Sequence, residues 1–459
     1  MHYPWWHVPY LTGPMLIAIV AVLHMFVAHY AVGGGMFLAV ETTFAYRRNR
    51  RDYLEYLHNH AWFFILITVV YGAITGVGIW LTIGLASPLA TEALIHIFIF
   101  GWAMEYVTFF LEIASAFAFF YYWGRLAPKT HQAMAWIYAV SAWLSLFFIT
   151  GITAFMLNPG GWESNRTFSV GFFNPQLVPQ VLARTGGALL LSAQYVYLHA
   201  TFRATDPELR YLVQRRSTLP GLVGAAMVAL GGILWYAYLP ESSRAVLVGT
   251  GVLNVLMTVI FVVTAVVFVM LYLGPYRNPG WLSPGFAILF LLAGFTAIGA
   301  GEFVREAVRK PYIVYNVVLG NQIYADEVPI LQRNGFLEGG TWTRAYIAAR
   351  YPGVMEGRRI VEERLLDLPE PEQRHVGEVL FQYHCNNCHA VTHGVSGASQ
   401  LLRGWTPEMV RAVSREPDRF HFFMPPWSGT PAEAEVLARF LIPIAEPFPR
   451  SLKHAEGRE

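Results

Sequence analysis

Residues 11–51 read LTGPMLIAIVAVLHMFVAHYAVGGGMFLAVETTFAYRRNRR. From Leu11 to Tyr46 the only Asp, Glu, Lys, Arg or His side chains are His24, His29 and Glu41. Arg47, Arg48, Arg50 and Arg51 then follow at once. An apolar run of about 20 residues crosses a bilayer core, so this is a membrane helix that ends in a basic loop. It is too long for a cleavable signal peptide, and that loop is the wrong flank for one. The helix is expected to serve as its own targeting signal. Gly33, Gly34 and Gly35 fall inside it, where small residues let neighbouring helices approach closely.

Working outward, seven further stretches have the length and character of a span: Ala61–Ala86, Ala93–Trp123, Ala133–Leu157, Val178–Phe202, Leu219–Leu239, Val246–Leu273 and Trp281–Phe303. Composition agrees, with 55% hydrophobic and 14% charged residues among 459, where a soluble domain carries about 25% charged. Aromatic content of 15%, with 14 Trp, suits a chain with two interfaces to anchor. The predicted fold class is all-α, a polytopic membrane bundle of about eight helices. Short-loop Lys and Arg set its orientation. One set of loops carries Arg47, Arg48, Arg50, Arg51, Arg125, Lys129, Arg203, Arg210, Arg215, Arg216 and Arg277, and the other only Arg166 and Arg244. The first set is placed in the cytoplasm and both termini on the outer face. The net charge of +2 selects no partner, and no nucleic-acid partner is expected.

Past Phe303 hydrophobicity falls for good. The expected organisation is a membrane bundle over 1–303, an outer-face connector over 304–367 and a soluble domain over 368–459. Only two cysteines exist, in Cys385-Asn386-Asn387-Cys388-His389. This C-x-x-C-H pattern attaches haem: two thiols form thioethers to its vinyl groups and the adjacent histidine reaches the iron. A zinc site would need a second cysteine pair, which is absent. Gly377-x-x-x-Phe381, Phe423-Met424-Pro425-Pro426-Trp427 and Pro431–Ile442 around it resemble a class I cytochrome c. That resemblance implies covalent haem c with His389 and Met424 as axial ligands, a pairing that raises the reduction potential. His384 and His393 read as surface residues.

Ionisable residues inside membrane helices are costly and so are functional candidates. Here they are His24, His29, His96, Glu105, Glu112, Glu302 and, nearer an end, Glu41. Glu105 and Glu112 are two turns apart on one helical face. His29 and His96 also suit plain packing, and His58, His60 and His131 read as solvated loop residues.

The membrane half of the chain resembles subunit I of the cytochrome bd oxygen reductases. The matching residues are His24-Met25-Phe26, Met36–Thr42, Glu105-Tyr106-x-x-Phe109-Phe110-Leu111-Glu112, Trp123–Leu126, Met156-x-Asn158-Pro159, Phe303-Val304-x-Glu306 and Arg309–Tyr312. The resemblance implies that His24 ligates a high-spin haem, that Glu105 stands beside it and that Glu112 belongs to a proton path. It also implies b- or d-type haems in the membrane and a subunit II-like partner. The departures are as informative. The family's low-spin haem histidine aligns with Ala183 and Arg184, His199 lies too near the cytoplasmic end to replace it, and Met257 is a weak partner. The carboxylate for the second high-spin haem aligns with Gly299, with Glu302 one turn away as a substitute. The quinol-binding loop has no room between Leu239 and Ala245.

These departures favour a bd-like terminal oxidase of the bacterial inner membrane that takes electrons from a periplasmic cytochrome c through its own c-type haem. The alternative is a non-oxidase subunit that passes electrons between quinol or a membrane haem and periplasmic carriers.

Overall fold

The structure, a computed structural model of the chain, describes residues 6–281 and 283–445. They form two compact units, one from 20–79 with 94–308 and the other from 6–19, 80–93 and 309–445.

Eight long helices dominate: α1 (Gly13–Arg47), α2 (Arg51–Ala86), α3 (Ile99–Tyr121), α4 (Pro128–Phe155), α5 (Leu177–Arg203), α6 (Pro207–Ala237), α7 (Gly251–Arg277) and α8 (Pro284–Ala307). Their boundaries follow local chemistry. Asp206 caps α6 by accepting from the Leu209 amide at 3.0 Å, with Pro207 in the first turn. Ser283 and Pro284 open α8 the same way. In α2 the ladder widens to i→i+5 bonds over Leu66–Tyr71, one turn before Thr75. The third predicted stretch is interrupted at Phe98, between a short helix Pro88–Ile97 and α3. After α6 only residues 238–240 precede the helix Glu241–Gly249.

Seven of the eight are long and apolar enough to cross a membrane, which makes this a multi-pass membrane protein. The fifth predicted span differs. α5 is a 27-residue helix, but Gln180, Gln194, Tyr195, Tyr197 and His199 are buried along it. It is the inner helix of its unit, so neighbouring protein rather than lipid receives its side chains.

α1 is central too, and its glycines explain how. A Cβ on Gly33 would stand 2.0 Å from the Ala188 carbonyl oxygen of α5, and one on Gly35 2.1 Å from the Tyr138 ring of α4. Two histidines expected in solvent are inside. His60 and His131 are both 0% exposed. Tyr53, Tyr56, Leu57 and His60 repeat at helical spacing and turn one face of α2 inward.

In the other unit the apolar residues of 319–365 and of 376–441 share one core, so the stretch expected as a connector contributes to it. Two small antiparallel ribbons, Tyr312–Val314 with Val318–Leu319 and Met355–Glu356 with Arg359–Ile360, were not anticipated by an all-α reading. Helices α9 (Glu370–His384) and α10 (Pro431–Ile444) cross at Gly377, where a Cβ would meet the Val436 carbonyl oxygen at 2.5 Å. Beside the crossing the Phe381 and Phe440 rings lie 5.6 Å apart. The unit also holds the N-terminal part of the chain. The Gln322 side chain accepts from the Leu89 and Ala90 amides at 3.1 and 3.3 Å and donates to Ser87 Oγ at 2.9 Å.

A buried acid pair ties 319–365 to α10. Glu433 accepts from the Phe336, Leu337 and Thr430 amides at 2.7–2.9 Å. Glu362 accepts from Thr430 Oγ1 at 3.2 Å, while its other oxygen is buried without a partner. Burial first, and then the Glu433 charge with smaller contributions from Glu338 and Glu363, pushes the Glu362 carboxyl well above its ordinary 4.5. A raised carboxyl pKa means that the folded unit binds the proton more tightly than the unfolded chain. This stabilisation is complete below pH 4.5 and is lost as pH rises toward the folded value, at up to about 1.4 kcal/mol per pH unit. Hydrogen exchange of residues 430–441, corrected for intrinsic rates, should therefore show protection falling as pH rises. Glu362→Gln should flatten that slope.

Candidate functional site

Within the membrane unit, His24 projects from α1 half-buried, and its Nδ1 lies 3.1 Å from Thr75 Oγ1 on α2. The Thr75 hydroxyl already donates to the Tyr71 carbonyl at 3.0 Å, so it accepts from Nδ1–H. The neutral imidazole then keeps its lone pair on Nε2, the state a metal requires. Gly76 gives the ring room, since a Cβ there would touch His24 Cε1 at 3.3 Å.

Glu105 and Glu112 on α3 are each held by a hydroxyl of α4. Ser145 Oγ donates to Glu105 at 2.9 Å and Tyr138 OH to Glu112 at 3.2 Å. The donors are also seven residues apart, so two antiparallel helices keep the same two-turn register. Such carboxylates, held in part by neutral donors rather than cations, can take and release a proton.

Glu302 on α8 is ion-paired with Arg305 one turn on, at 2.8 Å. It lies within electrostatic reach of Arg184 and His29. Arg184 donates to Thr150 Oγ1 at 3.0 Å and Thr153 Oγ1 at 3.3 Å on α4. His29 donates to the Met25 carbonyl at 2.8 Å. Glu41 is buried, accepts from Tyr53 OH at 2.9 Å and pairs with Arg216. His96 is exposed.

In the other unit, α9 runs straight into the Cys385–His389 segment. Neither cysteine is in a disulfide, and burial, reinforced by Cys388, pushes the Cys385 thiol up to about 12. His389 Nδ1 donates to the Ser396 carbonyl at 3.0 Å, which again leaves Nε2 as the lone-pair nitrogen. Burial lowers the His389 pKa, the Ser396 carbonyl opposing it, which favours the neutral ring that a metal binds. The loop behind it is pinned: the Val395 amide donates to the Tyr10 carbonyl at 2.9 Å. Gly394 is left-handed at φ 130°, and a Cβ there would strike Tyr10 at 2.3 Å. Met424 follows a turn closed by its own amide on the His421 carbonyl at 2.9 Å and precedes Pro425-Pro426-Trp427. His384, expected at the surface, is half-buried between Phe336 and Trp427, with ring centroids 4.3 and 4.4 Å away. His393 is exposed.

Residues 15–237 match the family described as cytochrome bd terminal oxidase subunit I. Over that stretch the chain is similar to cytochrome bd subunit I. A bd oxidase from Geobacillus thermodenitrificans has a similar fold, with a TM-score of 0.55 and 19% identity over 67% of this chain and 89% of that one. Among curated proteins nothing matches.

Members of the bd family carry b- or d-type haems in the membrane and work with a subunit II partner. His24 fits such a group, because Thr75 fixes the ring and leaves Nε2 for iron. The low-spin site does not fit. Arg184 is spent on Thr150 and Thr153, and the other face of α5 touches α6 directly. A Cβ on Gly231 of α6 would meet the Ala183 amide nitrogen at 2.6 Å, and one on Gly186 the Gly224 carbonyl at 2.5 Å. At Gly299 a Cβ would make only ordinary contact with Val22, at 3.6 Å.

The sequence reading missed the partners: Thr75, Ser145, Tyr138, the Arg305–Glu302 pair and the burial of His60 and His199. Only His60 carried a usable signal, the Tyr53, Tyr56, Leu57, His60 spacing.

Proposed function

We propose that this chain is the oxygen-reducing subunit of a bd-like terminal oxidase that receives electrons from a soluble c-type cytochrome through its own covalent haem c. The observation that carries the reading is Arg184. A half-buried arginine, hydrogen-bonded across to α4, stands where the family's quinol-side haem needs a histidine. A subunit without that haem needs another electron input, and Cys385-Asn386-Asn387-Cys388-His389 supplies the means. Three further features support a class I cytochrome c reading of 368–445: the α9–α10 crossing at Gly377, the Ser396 carbonyl on His389 and the Met424-Pro425-Pro426 turn.

Haem iron, when bound at His24, supplies the centre where oxygen is reduced. Around it the chain's own groups have distinct tasks. Thr75 orients the His24 ring and fixes its tautomer. Glu105 and Glu112, steadied by Ser145 and Tyr138, hold and pass protons along α3. Glu302, neutralised by Arg305 and near Arg184, contributes a compensated charge to the interior. In the C-terminal unit His389 and Met424 would hold the iron of a haem attached at the two cysteines. The orientation with the Arg-rich loops in the cytoplasm belongs to the same proposal.

The test is donor preference. The purified complex should consume oxygen with reduced cytochrome c and not with quinol, and a pyridine haemochrome spectrum should count the c haem directly. Met424→His tests the axial pair. It should keep a low-spin haem but lower its potential by on the order of 0.1 V, a fraction of the roughly 0.8 V that axial ligands span. An unchanged potential in a redox titration would mean that Met424 is not bound to iron.

A further inference from the structure

We propose that His60 and His199, with Tyr30 and Tyr56, form a proton relay leading from the Arg-rich end of the membrane unit into its interior. It is separate from the Glu105–Glu112 column.

Tyr30 OH lies 3.1 Å from His60 Nε2, and Tyr56 OH lies 3.3 Å from His199 Nδ1. The two imidazole rings meet edge to face with centroids 4.8 Å apart. His60 and Tyr30 are 0% exposed and His199 is 7% exposed. The chain of polar groups has two different ends. His199 stands one turn before Arg203, which closes α5, and Tyr56 sits five residues into α2 from Arg51. Tyr30 lies 17 residues up α1 from Arg47, about 25 Å along that helix. There it stacks on Tyr195 at 4.1 Å, and its chain neighbour His29 lies within electrostatic reach of Glu302.

The charged groups around the cluster are few. Arg203 lies near His199, and the Glu41–Arg216 pair with Tyr53 stands beside Tyr56, whose ring is 6.1 Å from that of Tyr53.

What separates a relay from a packed histidine is the second ring nitrogen. His131, equally buried in the same unit, has both satisfied: Nε2 donates to the Phe119 carbonyl at 2.9 Å and Nδ1 faces Tyr46 OH at 3.0 Å. His60 has Nε2 on Tyr30 and Nδ1 buried with no partner. Leaving one ring nitrogen unpaired in a dry interior costs about 1–3 kcal/mol. A histidine passes a proton by gaining it on one nitrogen and losing it from the other; His131 Nε2 is fixed on a backbone carbonyl that takes no proton, whereas His60 Nε2 is held by a hydroxyl that can give or take one and its Nδ1 is uncommitted. Each transfer moves one proton and no electron. Tyr30 gives or takes it at Nε2, and His199, whose ring centroid is 4.8 Å from that of His60, is the next group in the relay. Intramembrane histidines arranged in this way are the usual material of proton pathways.

The relay itself does not depend on the oxidase reading; only the fate of the proton does. The first measurement uses the full chain labelled with ¹⁵N-histidine in lipid bilayers, with His60 signals identified by their loss in His60→Gln. Exchange of the His60 ring protons with water should be at least about tenfold faster than for His131. The second compares oxygen-linked proton uptake in Tyr30→Phe, which keeps the packing and removes only the hydroxyl. Uptake should slow about tenfold, with reduction of the C-terminal haem unchanged, as expected on losing one acid–base step. Should His60→Gln fail to fold, His60 signals can be found by their shift in Tyr30→Phe. Ring protons as protected as those of His131, or a Tyr30→Phe complex with parent uptake, would overturn the relay. Fast His60 exchange in a complex that consumes no oxygen would uphold the relay and refute the oxidase reading instead.

Discussion

Replacing His24 by alanine should reduce oxygen uptake to background while the haem carried by Cys385 and Cys388 is still reduced at the parent rate. The two effects separate because the groups lie in different units of the chain, His24 in 20–79 with 94–308 and the cysteines in 309–445. Removing the imidazole takes away the proposed iron ligand, whose ring Thr75 orients, and no other described side chain hydrogen-bonds to that ring. Graded variants should rank by their distance from that ligand. Thr75→Val leaves the ring but frees its tautomer, and loss of such an orienting partner typically costs 10–100-fold. Glu112→Gln keeps shape and the Tyr138 contact but removes a proton carrier, so turnover should slow about tenfold or more with haem reduction spared. Stopped-flow absorbance of the c-type haem, recorded beside oxygen-electrode traces, reads both halves. Full oxygen uptake without His24 would sink the oxidase reading and favour an electron-transfer subunit.

The same separation shows which parts of the molecule the residues announce. A membrane helix declares itself through a sustained lack of charge; eight stretches were read as spans on that ground, and seven of the eight helices are long and apolar enough to cross. α5 is detectable as a helix but resembles lipid-facing spans least, since an inner helix takes polar residues that its neighbours satisfy. Its buried Gln194, for example, donates to the Phe290 carbonyl at 2.9 Å. His60 misled because RDYLEYLHNH is polar on average and only its inward face is not. The candidate ligands His24, Glu105 and Glu112 were legible as ionisable residues in apolar surroundings. Their partners were not, because Thr75, Ser145 and Tyr138 are ordinary residues until two helices fix them opposite a ligand. Arg184 was legible only as a missing histidine. That it is held by Thr150 and Thr153 depends on the α4–α5 register, which periodicity does not contain. The connector looked loose because its apolar residues are scattered. They belong to a core whose other half lies beyond residue 375.

Cys385→Ala or Cys388→Ala should abolish most covalently attached haem and, with it, oxygen uptake driven by reduced cytochrome c, yet leave the chain in the membrane. In the proposed attachment each thiol would form one thioether, so both are needed for the full linkage. Cys385 sits where α9 ends, with its amide on the Phe381 carbonyl at 2.8 Å, and the alanine variants keep that backbone bond. The haem's share of this unit's stability will be lost, but the core around Phe381, Val436 and Leu441 does not depend on the sulfur atoms. Insertion depends on α1–α8, whose interior rests on Tyr30, Tyr53, Leu57 and Leu191. A haem-stained denaturing gel beside membrane fractionation separates the outcomes. Covalent haem that persists with both cysteines replaced would refute attachment at this segment. Disappearance of the Cys385→Ala chain from the membrane would show instead that the two units do not fold independently.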